Sequence, residues 1–271
     1  MPELPEVETT RRSLEAPLVG RRVTHVVVRD RRLRWPIEPD FERHLTGASI
    51  RAVGRRAKYL LVVTDRGTAM IHLGMSGSLR VIPPSAEWKT HDHVGITLSN
   101  GKQLRFHDPR RFGLVLRISG EPEIHPLLSG LGPEPLEEGF TQKHLAAACA
   151  KRSAAIKLVI MDAKVVVGVG NIYASEALFR AGIPPKTPAN RVSKPKLARL
   201  VQSIREVLSD AIQEGGTTLR DFLNSDGEPG YFRQKLFVYE RKGEPCRVCE
   251  TPIRHAVLGQ RSTYWCPKCQ K

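Results

Sequence analysis

Four cysteines near the C-terminus are spaced for a metal. Cys246-x-x-Cys249, 16 further residues, then Cys266-x-x-Cys269 form two knuckles. Such knuckles can present four thiolates tetrahedrally to zinc, and four protein ligands leave no position for a reactive water. One structural Zn2+ is the expectation. Four unrelated reduced thiols would leave the paired spacing unexplained. At the other end of the chain Pro2 follows Met1. Removal of Met1 would expose a secondary amine, less protonated near neutral pH than a lysine. Attack of that amine on a sugar C1′ gives an iminium with no N–H to lose, so the adduct stays cationic and draws electrons into an elimination. Glu3 is placed to protonate the sugar ring oxygen, and Glu6 to orient a water or the amine. Taken singly these residues have ordinary readings too. A proline after the first methionine is common, and glutamates at a helix start are usually partners of its dipole.

Any such chemistry would act on an anionic partner. The 271 residues carry 43 Lys and Arg against 28 Asp and Glu, a net charge of +15. A charge of this size favours a polyanion, because each neutralised phosphate releases counterions. Residues 231–271 hold nine Lys or Arg and three Asp or Glu, so the cysteine segment is itself basic. The hydrophobic share of the whole chain, 40%, argues against disorder. The longest apolar run, Ile156 to Val169, is interrupted by Asp162 and Lys164 and is too short for a membrane span. The acidic, proline-bearing start is unlike a signal peptide, and the metal-type cysteine spacing agrees with a reducing, intracellular setting. Cys149, alone in an alanine-rich helical stretch, is expected to be a small buried residue.

The elements that must position these residues divide the chain in two. Val7, Leu14 and Leu18 lie at helical spacing, with a start near Pro5. Val23 to Val28, Tyr59 to Val63, Ala69 to Leu73, Val94 to Leu98, Leu104 to Phe106 and Phe112 to Ile118 are short strand-like runs. Asn100-Gly101 between two of them signals a two-residue hairpin turn. Together they predict an antiparallel sandwich or flattened barrel. Gly130 to Gly139, rich in Pro and Gly, marks a boundary, beyond which the period is helical. Leu197, Leu200, Val201, Ile204, Val207, Leu208, Ala211 and Ile212 form one helix stripe, with Ser193 as cap and Gly215-Gly216 as stop. Residues 215–233 then read as a long functional loop, and a short strand pair is expected to join the knuckles.

The motifs PELPEVET, RRAKYLL (55–61), HLGMSGSLR (72–80), HDPRRFG (107–113) and VVGVGNIYASE (166–176), with the closing knuckles, resemble those of bacterial formamidopyrimidine-DNA glycosylases from Pro2 to Lys271. The resemblance implies an α+β fold of two domains: a catalytic β-sandwich with an N-terminal helix over 1–132, and a helical part with a helix–two-turn–helix element over 133–230. A four-cysteine zinc-finger β-hairpin over 231–271 completes it. It implies a monomeric, cytoplasmic bacterial enzyme, brought to the nucleoid by its DNA. This enzyme would excise oxidised purines, 8-oxoguanine and formamidopyrimidines, from double-stranded DNA through a Schiff base and nick the strand by β,δ-elimination.

By the same resemblance Pro2 is the nucleophile and Glu3 the general acid. Lys58 serves β-elimination and binds a phosphate, and Arg261 of the zinc hairpin serves phosphate binding and δ-elimination. Arginine surrenders a proton reluctantly, which favours its phosphate role. Met75, Arg110 and Phe112 match the residues that fill the hole left by a flipped base. His91, Arg110, Arg152 and Asn171 fall at DNA-contact positions, and residues 216–231 correspond to a segment that closes over the lesion. The rival class is the sister enzymes acting on oxidised pyrimidines, from which the Leu4 to Val7 context and the Met75, Arg110 and Phe112 set point away. A catalytically silent zinc-finger DNA-binding protein would leave Pro2-Glu3, Lys58 and the glycine-bearing loop without a purpose.

Overall fold

A computed structural model of the chain describes residues 2–217 and 232–271. The first helix, α1 (Leu4–Leu18), starts one residue before Pro5, with Glu3 as its cap, and buries Leu4, Val7, Leu14 and Leu18 completely. Strand β1 (Val23–Val28) and a short helix α2 (Phe41–Leu45) follow. The strands β2 (Ile50–Arg56), β3 (Tyr59–Thr64), β4 (Gly67–His72), β5 (Ser78–Ile82), β6 (Asp92–Leu98), β7 (Gln103–His107) and β8 (Leu114–Ile118) come next. They form two four-stranded sheets, ordered β1-β6-β7-β5 and β2-β3-β4-β8, with antiparallel pairs throughout.

The inward residues of both sheets share one core with α1. Val26, Ile96 and Phe106 of one sheet join Leu60, Ile71 and Val115 of the other, together with Val7, Leu14 and Leu18. Burying each such side chain is worth about 1.5–3 kcal/mol. The fold is therefore the expected sandwich, with three local differences. Strands β2 and β5 carry no readable alternation, because β2 is bulged between Ile50 and Ala52 and β5 buries only Leu79. The Asn100-Gly101 turn has three residues rather than two. Gly101 N–H donates to the Leu98 carbonyl (3.1 Å) and Leu98 N–H to that of Lys102 (2.8 Å), with Gly101 at φ +74°. That is a turn closed by one left-handed residue, where glycine is the cheapest choice. Finally, β8 begins at Leu114 and leaves Phe112 outside the sheet.

Later come α3 (Gln142–Cys149), α4 (Ile156–Ile160), α5 (Asn171–Arg180) and α6 (Lys194–Gln213). The Thr141 hydroxyl caps α3 by accepting the His144 N–H at 3.1 Å, and Cys149 is buried on that helix as expected. Helix α6 buries the whole anticipated stripe from Leu197 to Ile212 and ends before Gly215. The hairpin of β9 (Arg254–Leu258) and β10 (Arg261–Trp265) turns on Gly259-Gln260, both at positive φ, the twist a two-residue hairpin favours. The chain divides into two compact units, Met1–Ser129 with Glu214–Tyr231, and Gly130–Gln213 with Phe232–Lys271. Among the described residues no helix is long and apolar enough to cross a membrane. Apart from Gly216 and Thr217, the anticipated closing segment 216–231 lies outside the described residues.

Candidate functional site

In the first unit Pro2, Glu3 and Glu6 gather at the start of α1, and all three are buried. Glu6 sits in the first turn of the helix, where its carboxylate can reach back to the cap. Its Oε2 accepts the Glu3 N–H at 2.7 Å and its Oε1 accepts the Thr217 N–H at 2.8 Å. Both carboxylate oxygens of Glu6 are thus engaged, clasping the N-terminal turn to the returning chain at Thr217.

Lys58 occupies the two-residue turn between β2 and β3, whose flanks Arg56 and Tyr59 pair directly. Its neighbour Ala57 takes φ +54°, a left-handed conformation that costs a non-glycine residue about 1–2 kcal/mol. The turn is braced by Arg55, which donates to the Ala57 carbonyl at 2.9 Å and to Glu8 of α1 at 3.1 Å. Burial alone would raise the Glu8 carboxyl, but hydrogen bonds from Arg11, Arg12 and Arg55 hold it below its ordinary value. Lys58 also acts on His72. Burial first, then the charges of Lys58 and Arg34, lower the imidazole to about 4. His72 is therefore neutral at pH 7, and its Nδ1 accepts the Gly74 N–H at 3.0 Å.

Gly74 begins the turn that carries Met75. It lies at φ +64°, and a Cβ there would stand 2.4 Å from the Gly113 nitrogen and the Phe112 carbonyl carbon. Only glycine lets the Met75 turn and the Arg110 to Gly113 turn meet backbone to backbone. Buried Asp108 ties the same two turns, its Oδ1 accepting from the Ser76 hydroxyl (3.1 Å) and its Oδ2 from the Gly113 N–H (2.8 Å). Its own N–H donates to the His91 carbonyl at 3.0 Å, which brings His91 beside this pair. On the far side Arg111, at φ +56°, is held by Asp30 at 2.6 Å. Hydrogen bonds from Arg32, then the Arg111 charge, keep the Asp30 carboxyl well below the carboxylate range.

Phe112 is left 45% exposed with the Arg110 guanidinium 4.9 Å above its ring, while Met75 is half-buried. A rigidly based aromatic, a long cation and an unbranched thioether on adjoining turns have the shapes that entry into a base stack requires. Asp108→Ala should cost about 2 kcal/mol or more, since a buried N–H and a hydroxyl both lose their acceptor. Asp108→Asn, able to accept from Gly113 and donate to Ser76, should lose less than half of that. Urea melts that place the alanine variant level with the unmodified protein would dismiss this strut.

The second unit brings together other candidates. Asn171 opens α5 behind Gly170. Its Nδ2 reaches the Tyr239 hydroxyl at 3.4 Å, while its buried Oδ1 has no hydrogen-bond partner among the described residues. The N–H groups of a helix start favour an anion. Arg152 is exposed and paired with Asp162 at 2.9 Å, on the approach to α4.

Arg261 is exposed at the first position of β10. Its carbonyl accepts from the Thr263 hydroxyl (3.1 Å), which in turn accepts from the wholly buried Lys157 ammonium (2.8 Å). Lys157 also donates to the Ser262 carbonyl at 3.1 Å, so α4 grips the strand that presents Arg261. Glu176 of α5 does the same for the entry to the cysteine segment, accepting the N–H groups of Phe237, Val238 and Tyr239 at 2.9–3.0 Å. Sequence reasoning missed Arg55, Asp108, Lys157 and Glu176. The last two left a signal, a charged residue inside the apolar helical runs IKLVI and NIYASEALF.

The four cysteine sulfurs all lie within 4.8 Å of one another. The Cys249–Cys266 and Cys249–Cys269 pairs are 3.4 Å apart and Cys246–Cys269 is 3.9 Å. A tetrahedron with zinc–sulfur bonds of about 2.3 Å has edges of about 3.8 Å, so the donor set fits one zinc ion. Hydrogen bonds from Thr251 bring the Cys249 thiol down to about 6, whereas burial and the neighbouring thiols raise Cys266 and Cys269. Four thiolates this close repel unless a cation sits among them. The site is closed, so a bound zinc ion supplies cross-linking and no reactive position.

Family models match most of the chain. The formamidopyrimidine-DNA glycosylase N-terminal domain covers residues 1–115, the H2TH domain of the same enzymes covers 131–223, and a zinc finger found in FPG and IleRS covers 243–271. A formamidopyrimidine-DNA glycosylase of Thioalkalivibrio sulfidiphilus is 57% identical over 271 residues, 100% of both chains. The MutM (FPG) protein of Thermus thermophilus is 39% identical with a TM-score of 0.89, covering 99% of this chain and 98% of that one. A mutant Lactococcus lactis FPG in complex with Fapy-dG-containing DNA is 33% identical, with a TM-score of 0.92 and 100% of each chain covered.

Proposed function

The chain belongs to the formamidopyrimidine-DNA glycosylase family and is a DNA glycosylase of DNA repair; we propose that it is bifunctional, excising oxidised purines and then nicking the strand as an AP lyase. It acts as a cytoplasmic monomer on double-stranded DNA. The observation that carries this reading is the buried Pro2-Glu3 pair at the head of α1, backed by the clasp of Glu6. With Met1 removed, the Pro2 nitrogen attacks C1′ of a flipped nucleotide and forms the C1′–N bond as the bond to the damaged base breaks, and the proton lost from the amine neutralises the departing base. Glu3 gives its proton to the ring oxygen, which opens the sugar and leaves a cationic iminium. Glu6, with both oxygens on backbone amides, keeps Pro2 and Glu3 in register for this step.

The iminium acidifies C2′. Loss of that proton expels the 3′ phosphate, and a second elimination expels the 5′ phosphate; hydrolysis of the iminium frees the amine. Lys58, on its braced turn, holds a phosphate beside the reacting sugar and serves the first elimination. Arg261 and Asn171 hold backbone phosphates, as does Arg152, and His91 supports the same strand pair. Met75, Arg110 and Phe112 take the place of the extruded base. Extrusion is needed because the anomeric carbon is shielded within the stack.

Arg110, as a pure donor, favours an opposite cytosine, whose carbonyl oxygen and ring nitrogen accept hydrogen bonds, over adenine. The test is borohydride trapping and single-turnover excision on duplexes bearing 8-oxoguanine opposite each of the four bases. A covalent protein–DNA product is expected, with faster excision opposite cytosine than opposite adenine. Absence of the covalent product would defeat the Schiff-base route. Faster excision of an oxidised pyrimidine would move the chain's preference to the sister class.

A further inference from the structure

A basic cleft lies beside the Arg110 turn, on the β1-β6-β7-β5 sheet. Its volume is about 320 Å3; it is lined by Ser76, Ser78, Arg80, Lys89, His107, Pro109 and Arg110, and among the described residues no Asp or Glu lines it. Its floor is built from three neighbouring strands. Ser78 and Arg80 of β5 lie opposite His107 and Arg105 of β7, and Asp92 of β6 lies opposite His107. Asp92 is wholly buried beneath them. Its Oδ1 accepts from Arg80 (2.5 Å) and His107 Nδ1 (2.9 Å), and its Oδ2 from the Lys89 N–H (3.0 Å). With Arg105 completing the set at 3.5 Å, the Asp92 carboxylate is offset by two guanidinium groups, which lowers its repulsion of an incoming anion. The same bonds fix the cleft's rim. Lys89 is held through its backbone at both ends, its N–H on Asp92 and its carbonyl on Arg29, while its exposed side chain stays free of that network.

We propose that this cleft binds one backbone phosphodiester of the DNA strand opposite the lesion, with Lys89 and Arg110 supplying charge and Ser78 a hydroxyl donor. The choice of strand rests on the reading of Arg110 given above. If Arg110 meets the orphaned base, the phosphate within its reach on the same turn belongs to that base's strand. The cleft then gives the enzyme a grip on the strand it does not cut, next to the residue that reads it.

The full-length protein is titrated with duplexes carrying a tetrahydrofuran abasic analogue and a single neutral methylphosphonate linkage walked along either strand. One opposite-strand linkage near the orphaned base should weaken binding about tenfold, as for a lost charge-assisted contact. Lys89→Gln should weaken binding to the unmodified duplex similarly, lower the salt slope by about one, and show no further loss at that linkage. Lys89→Gln matching the unmodified protein at every linkage overturns the site, as does a loss of additivity confined to the lesion strand. A protein that binds the tetrahydrofuran duplex no better than undamaged DNA overturns the functional reading and this site with it.

Discussion

Glu3→Gln should lower base excision by about 10²–10⁴-fold, the usual weight of a positioned acid, while leaving affinity for damaged duplex nearly unchanged. Glutamine preserves the side-chain shape of a residue that is 2% exposed and leaves the backbone N–H that Glu6 holds. What it removes is the proton. The same logic separates Pro2 from Lys58 as nucleophile. An N-terminal amine is less protonated near neutral pH than a lysine, and it disappears when Met1 or a tag stays attached. Pro2→Gly, which keeps a primary amine, should retain some borohydride trapping, whereas the tagged protein should show none. Equal trapping by tagged and processed protein would shift the nucleophile elsewhere, and parallel loss of binding and excision in Glu3→Gln would assign that residue to folding.

Regular periodicity made part of this molecule legible. Helix α1, strand β1 and helix α6 fall where the spacing of Val7, Leu14 and Leu18, of Val23 to Val28, and of the Leu197 stripe predicts. Strands β2 and β5 escaped because a bulge breaks one alternation and the other is a sheet-edge strand with a single buried residue. Phe112 read as the start of a strand because it is apolar and adjoins one. The backbone reverses at Arg111, whose φ of +56° nothing in its side chain advertises. The struts were least visible. Asp108, Arg55 and Lys157 work through partners 2 to 106 positions away, contacts that only the folded chain creates.

Replacing Cys266 by serine should cost the protein its zinc and most of its DNA affinity together. The cysteines are not ornaments on an independent core. Cys246 and Cys266 are themselves part of the small cluster with Phe179, Val238 and Ile253, and partly buried Cys249 and Cys269 pack against it. So few apolar residues bury too little to order a strand pair alone. Zinc affinity of about 10–16 kcal/mol in small zinc modules is available as folding energy. Without it the β9–β10 hairpin loses its base, and Arg261 can no longer be presented at a fixed place even though Lys157 still offers its hydrogen bonds from α4. Arg261→Ala is the contrasting case. Its zinc content should remain at one per chain while affinity falls and the salt slope drops by about one phosphate contact. The measurement pairs metal analysis with binding to a tetrahydrofuran duplex at two salt concentrations. Zinc-free Cys266→Ser protein that binds as tightly as the unmodified chain would show that the hairpin folds, and holds its phosphate, without the metal.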